Sequence, residues 1–245
     1  MNQSLSQSIS AGVAVPRLAC DACAIRNNSL CGALSREEIA ELNAISRRKR
    51  IAAGQTLVME GDAVRDYANV ISGIAKLIRG SEDGRTQIVG LLFPSDFLGN
   101  TGSELTERHS IEAASDLEVC LFPRERFNEI LTRHPTLEHS LLERTMTELE
   151  VARDWMVLLG RKTAEERVAS FLLHAARRMR NHGCKPSEGF DLPISRTDIA
   201  DYIGLTIETV SRHITKLRKE GVIEMSGTRH LQFVDIDELE RRCAF

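Results

Sequence analysis

Residues 195–220 restrict this chain more than any other stretch. Ser195-x-x-Asp198 has the spacing of a helix N-cap, and Ile199, Ala200 and Ile203 share one face of the short helix that follows. Gly204-Leu205-Thr206 then breaks it: glycine enters a left-handed turn without a Cβ penalty, and Thr206 caps a second helix from Ile207 to about Glu220. Two helices joined by so short a glycine-containing turn form the helix-turn-helix pattern. At about 100° per residue, with Glu208 at zero, Ile207, Val210, Ile214 and Leu217 fall between about 180° and 260°. Ser211, Arg212, Thr215, Lys216 and Lys219 lie within about 80° of Glu208. One face is apolar, and the other is basic and hydrogen-bonding.

A solvated helix also has a polar outer face, so residue types must decide. Arg212 suits guanine O6 and N7 bidentately, Glu208 suits the cytosine amino group, and Ser211 adapts to either base or meets a thymine methyl. Thr209, Lys216 and Lys219 are assigned to phosphates. The chain as a whole is almost balanced, with 32 Lys+Arg against 35 Asp+Glu, so the basic character is local. Val222–Met225, Ser226-Gly227-Thr228 and Arg229–Val234 read as a two-stranded wing.

Upstream the texture changes. Thr56–Met59, Tyr67–Arg79, Thr86–Phe93, Ser110–Ala114 and Leu117–Phe122 are short β-branched runs between turn signals such as Asp83-Gly84, which suggests a small antiparallel barrel or sandwich. Before them come a Ser/Gln-rich arm over residues 1–19 and a helix capped by Ser35-x-x-Glu38, with Ile39, Leu42 and Ile45 on one side. After them, Arg124–Thr132 is a short helix and Pro135 to about Arg161 a long one. In the long helix Leu142, Leu149 and Met156 recur every seventh residue, with Thr145, Ala152 and Leu159 offset by three. That seam is read as a self-association face; packing on the helix's own domain is the alternative. Thr163-x-x-Glu166 restarts the chain as another helix, with Val168, Phe171, Leu172, Ala175 and Met179 on one side and His182-Gly183 as its end. Two further short helices and two short strands are expected to complete the module.

The chain has 245 residues, 42% of them apolar, and no run approaches the roughly 18 apolar residues of a membrane span. Six cysteines are too few for a disulfide scaffold. Leu18-Ala19-Cys20 superficially resembles the end of a lipoprotein signal, but no basic start and no long apolar stretch precede it. A cytoplasmic protein with reduced thiols is expected. Cys20, Cys23 and Cys31 then offer three soft ligands in one loop, and a metal or cluster needs a fourth. His109, His134 and His139 are available for zinc, though no spacing recommends them. Cys184 and Cys243 read as incidental thiols. No Gly-x-Gly-x-x-Gly fingerprint is present, and nothing points to an enzyme.

Ile199–Glu220, with Glu208-Thr209-Val210-Ser211-Arg212 at its centre, resembles the helix-turn-helix of the Crp/Fnr regulators, and its Glu-x-x-Ser-Arg spacing is similar to the Fnr branch. The resemblance extends over the whole chain. It implies an α+β fold: an arm and cysteine loop (1–34), an antiparallel β-roll of the cyclic-nucleotide-binding jelly-roll kind (35–133), a dimerisation helix (134–161) and a winged helix-turn-helix (162–245). It further implies a homodimer that reads an inverted repeat of TTGAT-type half-sites in double-stranded DNA and works with RNA polymerase. Members that sense oxygen hold one 4Fe–4S cluster per subunit through three amino-terminal cysteines and one from the β-roll, here matching Cys20, Cys23, Cys31 and Cys120. The seven-residue gap before Cys31 is similar to that of the alphaproteobacterial FnrL type. By this resemblance the intact cluster favours the dimer, and oxygen converts it toward a 2Fe–2S form and lowers DNA affinity. Taken alone, Cys120 also reads as a small buried hydrophobe. Three alternatives stand beside this. One is a Crp-type, small-ligand-responsive regulator, for which Gly99-Asn100 lacks the expected acid and Arg108-His109-Ser110 displaces the base. The others are a structural zinc site and an iron–sulfur redox protein, which leaves the helix-turn-helix unexplained.

Overall fold

The structure is a computed structural model, and it describes residues 19–81, 83–99, 106–180, 189–227 and 229–243. The proposed arm, Cys184, Asn100, the His182-Gly183 helix stop and Thr228 of the wing turn lie outside the described residues.

The cysteine segment is three short 3-10 turns, Ala19–Ala22, Arg26–Asn28 and Leu30–Ala33. Leu30 anchors the last of them in the core, and the Ser29 hydroxyl accepts from the Cys31 amide at 3.3 Å. Helix α1 (Arg36–Ile45) follows, closed by the expected reciprocal cap between Ser35 and Glu38.

Among the described residues, eight strands form the β-roll: β1 (Arg47–Ile51), β2 (Thr56–Val58), β3 (Asp66–Ser72), β4 (Ala75–Gly80), β5 (Thr86–Leu92), β6 (Phe97–Leu98), β7 (Ser110–Ala113) and β8 (Leu117–Pro123). They make two antiparallel sheets, β1-β8-β3-β6 and β2-β7-β4-β5. Val70, Val119 and Leu121 from the first and Ala75, Ile111 and Ala113 from the second meet in one buried cluster. Two sequence expectations are corrected here. Tyr67–Arg79 is not one strand but β3 and β4, which belong to different sheets. The break is Gly73, at φ 83°, where a Cβ would overlap the Asp116 carbonyl. Two strands of the β-roll were missed, the two-residue β6 and β1: the first four residues of β1, Arg47-Arg48-Lys49-Arg50, are exposed, and only Ile51 is buried. An edge strand of bases carries no apolar alternation, and such charges keep a sheet edge from pairing with other chains.

Helix α2 (Arg124–Arg133) leads into α3 (Pro135–Arg161), and α4 (Ala164–Arg180) opens the carboxyl-terminal module. There α5 (Arg196–Ile203) and α6 (Ile207–Lys219) precede the wing strands β10 (Ile223–Ser226) and β11 (His230–Phe233), which add a third strand, β9 (Phe190–Asp191). A further helix, α7 (Ile236–Arg242), was not expected; Asp235 caps it and Leu239 buries it. Ile74, Ile88, Leu91 and Phe93 of the β-roll share one core cluster with Phe171, Ile199 and Ile203. No helix among the described residues is long and apolar enough to cross a membrane.

Candidate DNA-binding face and cysteine cavity

The turn between α5 and α6 is built as its residues dictate. Gly204 sits at φ 65°, ψ 46°, the Leu205 amide donates to the Ala200 carbonyl at 3.0 Å, and the Thr206 hydroxyl accepts from the Thr209 amide at 3.3 Å. Val210, Ile214 and Leu217 are buried. Ile207, expected with them, is instead 41% exposed, because the first turn of α6 projects past the core. Glu208, Arg212, Thr215, Lys216 and Lys219 are exposed, and Thr209 and Ser211 are half-buried. Hydrogen bonds from its own backbone N–H and from the Thr206 hydroxyl lower the Glu208 pKa, so it meets solvent as a charged acceptor.

Lys216 is not a free cation. Its Nζ lies 2.6 Å from Glu165 Oε2 on α4, and that hydrogen bond lowers the Glu165 pKa. Sequence reasoning also missed a second groove of about 460 Å3 between α5, α6 and the wing, lined by Arg196, Arg218 and Arg229. These bases come from three elements, so no local spacing announces them.

On α3, the seam residues Leu142, Thr145, Leu149, Ala152, Met156 and Leu159 are all exposed, Met156 at 71%. Met146 and Val157, which the seven-residue count left out, are exposed as well. The opposite side packs inward through Leu137, Leu158 and Trp155, whose ring stacks on Tyr202 at 4.6 Å.

Cys20, Cys23, Cys31 and Cys120 line one cavity of about 290 Å3, walled by Ile25, Leu42 and Phe122. All four are half-buried. Cys120 stands on β8 between Arg48 of β1 and Asn69 of β3. Cys20 Sγ donates to Asn43 Oδ1 at 3.3 Å, and Asn69 Nδ2 donates to Cys31 Sγ at 3.9 Å. Burial pushes the Cys31 thiol up to about 11 and the Cys120 thiol up to about 12. Burial and the neighbouring Cys23 raise Cys20, against the opposing effect of Arg48 and Arg26. Unligated, these groups are neutral thiols, and a metal must displace their protons. Among the described residues, no three His, Cys, Asp or Glu side chains are gathered to hold a single ion.

Among the described residues, no histidine lines this cavity. His134 lies between Glu38 and Glu41 at 3.1 and 3.2 Å, and His139 is exposed beside Glu143. His109 lines a different cavity, of about 560 Å3, between the β-roll and α3. There Arg178 is held by Asp96 and by Glu148, the latter at 3.4 Å. Cys243, at the end of α7, donates to the Leu239 carbonyl.

Residues 48–134 match the cyclic nucleotide-binding domain, and residues 166–242 match the Crp-like helix-turn-helix domain. The chain is 46% identical to a probable transcriptional activator of Rhizobium leguminosarum bv. viciae, over 91% of this chain and 92% of that one. It is 44% identical to the transcriptional activator protein FnrL of Cereibacter sphaeroides, over 90% of each chain. The solved structure of FixK2 from Bradyrhizobium japonicum superposes with a TM-score of 0.75 at 32% identity, covering 82% of this chain and 98% of that one. The chain belongs to the Crp/Fnr family of DNA-binding transcription regulators.

Proposed function

We propose that this regulator is an oxygen-responsive activator that binds TTGAT-type inverted repeats as a homodimer while a 4Fe–4S cluster is intact, and so controls anaerobic gene expression with RNA polymerase in the cytoplasm. The observation that carries the reading is the meeting of Cys20, Cys23 and Cys31 with Cys120, about ninety residues away, around one cavity. Four thiols around one cavity supply the thiolate ligand count of an iron–sulfur cluster. The 44% identity to FnrL points the same way.

When bound, the cluster supplies oxygen-labile iron–sulfur chemistry. The chain supplies the rest. Arg26 and Arg48 line the cavity and offset the charge of its thiolates. Leu30 and Leu34 pack in one cluster with Leu137 of α3, and Arg144 of α3 donates to the Asn28 carbonyl at 2.6 Å. A change in the cysteine turns therefore reaches the helix that carries the seam. Glu208, Ser211 and Arg212 are assigned to bases, and Thr209, Lys216 and Lys219 to phosphates.

The test is the absorbance of anaerobically purified protein with iron and acid-labile sulfide counts. About four of each per chain, with a brown absorbance that bleaches in air, is expected. A colourless protein holding one zinc would contradict the reading.

A further inference from the structure

A dimer that reads an inverted repeat must hold its two recognition helices about 34–36 Å apart, one turn of DNA. In this chain only Lys162 and Thr163 join α3, which carries the seam, to α4. Arg167 makes that joint a pivot. It donates to the Leu159 and Lys162 carbonyls at 2.7 and 2.9 Å, at the end of α3, and to the Ile203 carbonyl at 3.2 Å, at the end of α5. A pivot fixes a position and leaves an angle. The β-roll restrains that angle: its apolar residues share a cluster with α4 and α5, Asp96 holds Arg178 of α4, and two polar contacts reach α5 itself. Lys76 Nζ of β4 lies 2.7 Å from Asp198 Oδ1 and 2.9 Å from Glu112 Oε1, and Gln87 of β5 donates to the Asp201 carbonyl.

These contacts differ from ordinary surface pairs. The Lys76 and Asp198 side chains are each only 14% exposed. Burial alone would lower the Lys76 pKa, but hydrogen bonds to Asp198 and Glu112 outweigh it and raise it. Asp198 is also the residue that completes the α5 cap, its second oxygen accepting from the Ser195 hydroxyl at 2.6 Å. Lys76 therefore grips the first helix of the helix-turn-helix at its root. Without Lys76, Glu112 and Asp198 would face each other as two uncompensated, half-buried carboxylates, which drives the β-roll and α5 apart.

We infer that Lys76 and Gln87 are positioning residues that set the half-site spacing the dimer accepts. They lie on the sensor domain, outside the helix-turn-helix. The inference rests on the proposed dimeric reading of DNA and is independent of what fills the cysteine cavity.

The test uses the full-length chain, purified anaerobically, on three duplexes: the TTGAT inverted repeat, the same repeat with its centre lengthened by one base pair, and a single half-site. The wild-type chain is expected to favour the first repeat over the lengthened one by at least about tenfold. Lys76→Met and Gln87→Ala are expected to shrink that ratio at least about fivefold while leaving half-site affinity unchanged, and Lys76→Arg to restore it. Gln87→Ala removes no charge and only the hydrogen bonds to the Asp201 and Ile88 carbonyls, so it keeps the question answerable if Lys76→Met does not fold. An unchanged ratio in Gln87→Ala and in any folded Lys76 variant would overturn the inference. So would tighter binding to the first repeat, which would make these contacts a clamp against DNA. A wild-type chain that bound no inverted repeat would overturn the DNA reading and this inference together.

Discussion

Arg212 and Lys219 share the exposed face of α6, yet their loss should read differently. Arg212→Ala is expected to cost about 1–3 kcal/mol on the cognate repeat and to relax selection at one base pair. Lys219→Ala should weaken cognate and random DNA alike and reduce the salt slope by about 1. Binding isotherms on both DNAs across a salt series check this, and equal effects of the two variants would contradict the roles. Lys216 must leave Glu165 before it meets a phosphate. An exposed pair of this kind contributes up to about 1 kcal/mol, so Glu165→Gln should tighten binding to all sequences by about two- to fivefold, measured at low salt. Unchanged affinity would mean that Lys216 does not reach the backbone. Ile207 adds an exposed branched side chain beside Glu208, where apolar contact with a thymine methyl is available.

At the scale of elements, α3 carries two different faces. Leu149 and Met156 are exposed, whereas Leu137 is fully buried. Leu149→Asp should leave the fold intact and give a monomer by sedimentation, since a two-fold interface loses the side chain twice and each burial contributes about 1.5–3 kcal/mol. A dimer that survived the change would move the interface elsewhere. The two helices of the helix-turn-helix were legible because their signals are local: Ser195 with Asp198, and Thr206 with Thr209, each span one turn, and Gly204 lies between the helices. The sheet was less legible. β1 carries bases where a strand signal needs alternation, and the need for Gly73 to divide β3 from β4 arises from Asp116, which is distant in sequence. Met146 escaped the seven-residue count because the exposed face is wider than one heptad seam.

For the whole molecule, the legible part of the site was its chemistry and the illegible part its assembly. Spacing brought out three cysteines, and resemblance to a family supplied the fourth; the fold is what brings Cys120 to the same cavity. No pattern along the chain could show that Arg144 touches the Asn28 carbonyl or that Lys76 holds Asp198. Through the first of these the cavity is joined to α3, and through the second the β-roll is joined to the helix-turn-helix. On the proposed reading, the state of the cysteine cavity governs dimerisation and DNA binding. The most direct measurement is the dimer dissociation constant and the affinity for the TTGAT inverted repeat on one anaerobic sample, before and after exposure to air. Both are expected to weaken together as the cluster absorbance bleaches, by at least about tenfold in DNA affinity. Equal dimerisation and equal affinity in the two states would contradict it.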